Sequence, residues 1–130
     1  MKARTAILTA LTPLALTAGM QERPSERPPV SPAAEVVGEA QSCIPLTSIS
    51  STEIRDDYTI DFMVGASKVW RNTLPNRCPG LKSEDKFTYE TSLSQLCSTD
   101  IIYVLHDYGG KLSRGAGCGL GKFVPVELEK

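Results

Sequence analysis

The sequence predicts a mainly β domain: a small antiparallel barrel or sandwich of five to seven short strands, stapled by disulfides. Three observations predict it. Short runs alternate apolar with polar residues, four cysteines lie between positions 43 and 118, and no apolar pattern of helical spacing lasts three turns.

The first strand is expected over residues 43–49, with Ile44, Leu46 and Ile49 as its apolar members. Tyr58, Ile60, Phe62 and Val64 alternate with Thr59, Asp61 and Met63, the period-two mark of a half-buried strand. Gly65-Ala66 then turns the chain into Lys68-Val69-Trp70-Arg71-Asn72, which completes a hairpin. Residues 73–85, with Pro75, Pro79 and Gly80, are expected as a long loop, and Phe87 with Tyr89 marks another strand. Residues 91–97 are the best helix candidate, worth one turn at most. Residues 101–105 are apolar on both faces, as in a central strand, and the glycines of 109–121 read as turn and loop. Phe123, Val124 and Val126 form a last strand. Pro125 cannot donate to a ladder, so that strand is expected at an edge.

Ahead of the domain the chain reads as address and tether. Lys2 and Arg4 precede an uncharged apolar stretch from Ala6 to Ala18, and Thr17, Ala18 and Gly19 offer a small-residue processing site. Residues 1–19 are therefore expected to be a secretory signal cut after Ala18 or Gly19. The apolar run is shorter than the ~20 residues a membrane span needs, and Pro13 breaks it. Residues 20–42 are expected to be a disordered linker, because Glu22-Arg23-Pro24-Ser25-Glu26-Arg27-Pro28-Pro29 holds no large apolar residue. The domain is expected over 43–130.

Without Lys2 and Arg4 the chain has 12 Lys+Arg against 15 Asp+Glu, a net of −3. No basic patch offers phosphates a partner, so neither nucleic acid nor an anionic membrane surface is expected as one. Stable membrane insertion is not expected once the leader is cut. Cys43, Cys78, Cys97 and Cys118 are even in number behind an export signal, which points to two disulfides. They include no Cys-x-x-Cys chelating pair, so metal is not expected. Of three possible pairings, Cys43–Cys118 with Cys78–Cys97 is expected, since first and last strands of small barrels commonly lie together.

Cys43-Ile44-Pro45, Trp70-Arg71-Asn72-Thr73-Leu74, Cys78-Pro79-Gly80-Leu81, Leu96-Cys97-Ser98-Thr99-Asp100 and Cys118-Gly119-Leu120-Gly121-Lys122-Phe123 together resemble a family of small exported bacterial domains of unknown function. The resemblance spans nearly all of 43–126. It implies compartment and class and supplies no activity. Lipidated members carry a cysteine where this chain has Met20.

Catalytic and cofactor motifs fail on register. A dinucleotide fingerprint begun at Gly115 or Gly117 would need glycine where Leu120 or Lys122 stands, and a phosphate loop would need Gly and Ser/Thr where Ala116 and Phe123 stand. Gly65-Ala66-Ser67-Lys68 continues to Val69, not to the glycine of a nucleophile elbow, and Ser83-Glu84-Asp85-Lys86 matches S-x-x-K without its companion motifs. Asp56, Asp57 and Asp61 lack calcium-loop spacing, and Asp56-Asp57 reads as a turn between strands. His106 is the only histidine, and its neighbour Asp107 would point to the opposite face of a strand.

No catalytic residue and no cofactor is therefore expected. The leading expectation is a non-enzymatic binding or structural module, periplasmic or secreted. Trp70, Tyr58 and Tyr103, with Tyr89, are its candidate surface for a glycan or an envelope-protein partner. The alternatives are a small envelope hydrolase using His106, or an inhibitor or chaperone-like partner of another envelope protein.

Overall fold

The computed structural model describes residues 29–91 and 93–129. The expected signal, and most of the expected linker, lie outside the described residues. The chain forms β1 (Ala34–Val36), β2 (Cys43–Pro45), a 3-10 turn (Leu46–Ser48), β3 (Ile49–Ile54), β4 (Thr59–Val64), β5 (Lys68–Thr73), α1 (Leu81–Glu84), β6 (Phe87–Tyr89), β7 (Gln95–Cys97), β8 (Ile101–Tyr108), β9 (Lys111–Gly119) and β10 (Phe123–Leu128). All pairings are antiparallel. They build a five-stranded sheet in the order β1-β10-β5-β4-β3, a pair β2-β7, and a three-stranded sheet β6-β8-β9. Among the described residues no sheet closes into a barrel, so the architecture is sandwich-like, with ten strands where five to seven were expected.

The core lies between the sheets. Ile54, Ile60, Phe62 and Phe123 come from the five-stranded sheet, Ile102 and Val104 from the three-stranded one, and Ile44 and Leu96 from the pair. Leu74, Cys78 and Leu81 fill in from the connection between β5 and β6. Phe62 and Phe123 meet edge to face with centroids 5.4 Å apart, the arrangement that ring quadrupoles favour.

The β4–β5 hairpin is as expected, with Val64 opposite Lys68 and Gly65 at φ +63° in the turn. Five expectations change. Residues 43–49 break after Pro45 into a 3-10 turn, so the first strand is two. The 73–85 loop contains the helical turn α1. Residues 91–97 hold no helix among the described residues; their last three form β7. The glycine-rich run from Gly115 to Gly119 is strand, not loop, because β8 pairs along it and Tyr103 and His106 lie over Gly117 and Gly115. Part of the expected linker is sheet, since Ala34, Glu35 and Val36 pair with Leu128, Glu127 and Val126.

That added strand also moves β10 off the edge. Pro125 accepts a hydrogen bond from Val37 N at 2.9 Å, one residue beyond β1. In an antiparallel strand a residue's N and O point to the same side. The missing proline donor therefore faces Val37 at the end of β1, where only the return bond to Val37 is absent, while β5 pairs along the other side.

The disulfides are Cys43–Cys97 and Cys78–Cys118, not the expected pairing. The first and last strands do lie together, but they are β1 and β10, and neither carries a cysteine. Cys43 and Cys97 stand directly opposite on β2 and β7. Cys78 is buried and reaches Cys118 on β9.

A buried asparagine fixes the corner between β9 and β10. Asn72 Nδ2 donates to Gly121 O at 2.7 Å, and Gly121 N donates to Asn72 Oδ1 at 2.8 Å, so the side-chain amide acts as one residue of a strand. A Cβ on Gly121 would run into the carbonyl oxygen of Thr73. Asn72→Ala leaves both backbone groups of Gly121 without these partners and is expected to cost about 2–3 kcal/mol. Urea denaturation checks it: the midpoint falls while the slope is unchanged.

Candidate functional site

Acidic residues that sequence reasoning weighed as a cation cluster are committed to cations of the chain and to turns. Asp61, fully buried, receives Arg71 Nε at 2.8 Å on Oδ1, and Arg71 Nη2 and Arg55 Nε on Oδ2, each at 2.9 Å. Arg71 Nη2 also donates to Pro32 O at 2.9 Å, which ties the incoming chain to the sheet. Asp57 accepts from Arg77 and from the backbone N of Lys82, and Asp56 accepts from Tyr58 N. No cluster of three His, Cys, Asp or Glu side chains able to hold a metal occurs among the described residues.

His106 sits on β8 two residues beyond Val104, so it belongs to the core-facing side at the open end of the sheet. Its Nδ1 lies 3.2 Å from Glu84 Oε1 of α1, its ring stacks on Tyr108 at 5.9 Å, and its Nε2 edge rests against Gly115. Asp107 points the other way, as expected. It takes Gly110 N at 2.8 Å and Lys86 Nζ at 3.2 Å. The hydrogen bond from Gly110, aided by Lys86, holds its carboxyl below the ordinary carboxylate value.

The imidazole therefore has a carboxylate on one nitrogen and glycine backbone at the other. Sequence reasoning missed Glu84 because α1 and β8 meet only through the fold. A Cβ at position 115 would overlap the His106 ring and crowd Val104 O at 3.2 Å. Gly115→Ala is expected to cost about 1–3 kcal/mol by overpacking. Most of that cost should disappear in a His106→Ala background, a coupling that a double-mutant cycle in urea reads directly.

The candidate aromatic residues stand on separate elements. Trp70 is opposite Phe62 in the middle of the five-stranded sheet, half-buried against the core, with Lys68 Nζ 4.5 Å from its ring centroid. Tyr58 lies in the turn before β4, where its carbonyl accepts from Leu74 N. Tyr103 is in the other sheet, opposite Gly117, covered by the Arg114 guanidinium at 4.4 Å. Glu90 binds that guanidinium and holds its pKa above the ordinary value. Tyr89, on β6, contacts Phe87. None of these tyrosines, nor Trp70, lines the main grooves of the described surface.

Two of those grooves matter here. One, of about 520 Å³, runs beside the β4–β5 turn over Ser50, Ser51, Met63, Ser67 and Lys68. The other, of about 340 Å³, separates Thr52, Glu53 and Ile54 of β3 from Asp85, Lys86 and Phe87 at the start of β6, with Leu105 alongside. It is the seam between the two larger sheets, and each wall is an outermost strand.

No family profile, curated protein or solved structure matches this chain. The two disulfides fit an oxidising compartment, and no described helix is long and apolar enough to cross a membrane.

Proposed function

We propose that the protein is an exported, disulfide-stapled β module of the periplasm or exterior that works by binding a partner. The observation that carries this reading is the division of labour among polar groups. Side chains suited to catalysis serve internal contacts, as Asp61 does with Arg55 and Arg71, while the seam groove is walled by sheet edges. The export part rests on the leader pattern of residues 1–19 and on the two cystines.

The hydrolase reading has one observation in its favour, the Glu84 carboxylate beside His106. A nucleophile would have to approach Nε2, and Gly115 occupies that side. The deciding experiment screens the oxidised protein and its His106→Ala form against ester, peptide and glycan substrates. No turnover is expected; reproducible turnover lost on substitution overturns the binding reading. Intact mass of the exported protein tests the address, with a chain beginning near Met20 and four alkylatable thiols only after reduction as the expected result.

A further inference from the structure

The seam between β3 and β6 has the make-up of a slot for a strand. On β3, Arg55 N donates to Thr59 O at 2.9 Å, so residues 55, 53 and 51 bond towards β4. By alternation Thr52 and Ile54 turn their backbone N–H and C=O groups outward. Ile54 O confirms the direction, since Lys82 Nζ reaches it from outside at 3.0 Å. On the opposite wall Leu105 N donates to Lys86 O at 3.0 Å, so Lys86 bonds towards β8 and Phe87 turns its backbone outward. Beneath the groove Phe87 meets Phe62 edge-on at 6.4 Å, which holds the two sheets together without a ladder between them.

β3 holds no lysine and no proline of its own; a register shift between Ile49 and Ser51 and the Lys82 ammonium on Ile54 O guard its two ends, which leaves Thr52 as the outward-facing backbone between them. The side-chain carboxylates of Glu53 and Asp85, which both line the groove, have no hydrogen-bond or ion-pair partner among the described residues. Of the two lysines beside the groove, Lys86 is held by Asp107 and Lys82 by the carbonyl of Ile54. The slot thus offers the backbone of Thr52, the N–H of Ile54 and the backbone of Phe87 on two sides, with the Glu53 and Asp85 carboxylates at its rim.

We propose that this seam binds an extended segment of a partner protein carrying basic side chains, which adds as a strand between β3 and β6 and joins the two sheets. The proposal rests on the binding reading given above. A strand there must pair along both of its sides. The outermost described strands of a second copy each have one side already covered, so an unpaired extended segment is the occupant that fits. The three residues Thr52 to Ile54 span about 10 Å, so three to five residues of peptide fill it.

The test uses the oxidised full chain, ¹⁵N-labelled, titrated with acetyl-Thr-Lys-Val-Lys-Thr-amide. Expected are shifts of the Thr52, Ile54 and Phe87 amides and slowed exchange of their protons. They should be lost when the peptide is N-methylated at its central residues. Glu53→Gln with Asp85→Asn is expected to weaken binding about fivefold; asparagine keeps the left-handed backbone at position 85, φ +55°, so the variant folds. Shifts absent from these amides up to millimolar peptide, or unchanged by N-methylation, overturn the slot while leaving the binding reading standing. Peptide recovered cleaved, with cleavage lost in His106→Ala, overturns that broader reading instead.

Discussion

Asp61→Ala destabilises the protein by about 3–5 kcal/mol, the largest expected effect of any single substitution here. The carboxylate has no exposure, and the Arg55 and Arg71 side chains that bind it are 20% and 11% exposed. Truncation leaves two guanidinium groups facing each other across a space that water reaches poorly, and the desolvation cost of both is no longer offset. Arg71 also loses the partner that aims its Nη2 at Pro32, so the incoming chain loosens with it. Because the site is buried, 1 M salt should leave the loss nearly unchanged, unlike that of a rim pair such as Arg77–Asp57. Replacing all three charged side chains with apolar ones should cost less than removing the aspartate alone. Urea melts of the oxidised protein read each case. A loss under about 1 kcal/mol for Asp61→Ala would mean the triad is solvated and the account is wrong.

Removing the Cys78–Cys118 bridge as the double alanine variant is the second large effect. With the cysteines 40 positions apart, the chain-entropy contribution is about 4 kcal/mol. Cys78 is also fully buried among Leu74, Leu81 and Val104, so truncation adds a packing loss. The Cys43–Cys97 bridge spans 54 residues and has an entropic share of similar size, but its sulfurs are only partly buried and no core cavity follows its removal. The Cys78–Cys118 variant should therefore melt lower than the Cys43–Cys97 variant. Peptide mapping without reduction checks the connectivity independently, since any 43–118 or 78–97 link contradicts the fold.

What the sequence made legible was local. The alternation from Tyr58 to Val64, the turn at Gly65-Ala66 and the apolar run from Ile101 are each readable within one or two strands, and each forms as expected. Pairing between distant segments was not legible. Asp61 falls on the polar side of its strand's alternation, which reads as solvent-facing, yet it is buried because Arg71 lies directly opposite on β5 and Arg55 lies nearby beyond β3. A signal for the first contact existed: a hairpin centred on Ala66 puts position 61 against 71. Asn72 with Gly121, and Glu84 with His106, gave none, because each pair joins elements that only the packing brings together. The glycines of β9 misled for a physical reason. Backbone freedom argues for a loop until neighbouring rings cover those glycines, and only the structure supplies the rings. The candidate aromatic surface was drawn from residue type alone, whereas the seam groove is built from backbone, which residue type does not reveal.

The two bridges interleave along the chain, first cysteine to third and second to fourth. A polypeptide emerging amino end first presents Cys43 and Cys78 together before either native partner exists, with the β3–β5 meander lying between them. During that interval an oxidant meets only one pair it can join, and it is the wrong one. Correct maturation then requires thiol exchange once Cys97 and Cys118 arrive, so yield should depend on a disulfide isomerase or a mixed thiol buffer more than on the supply of oxidant.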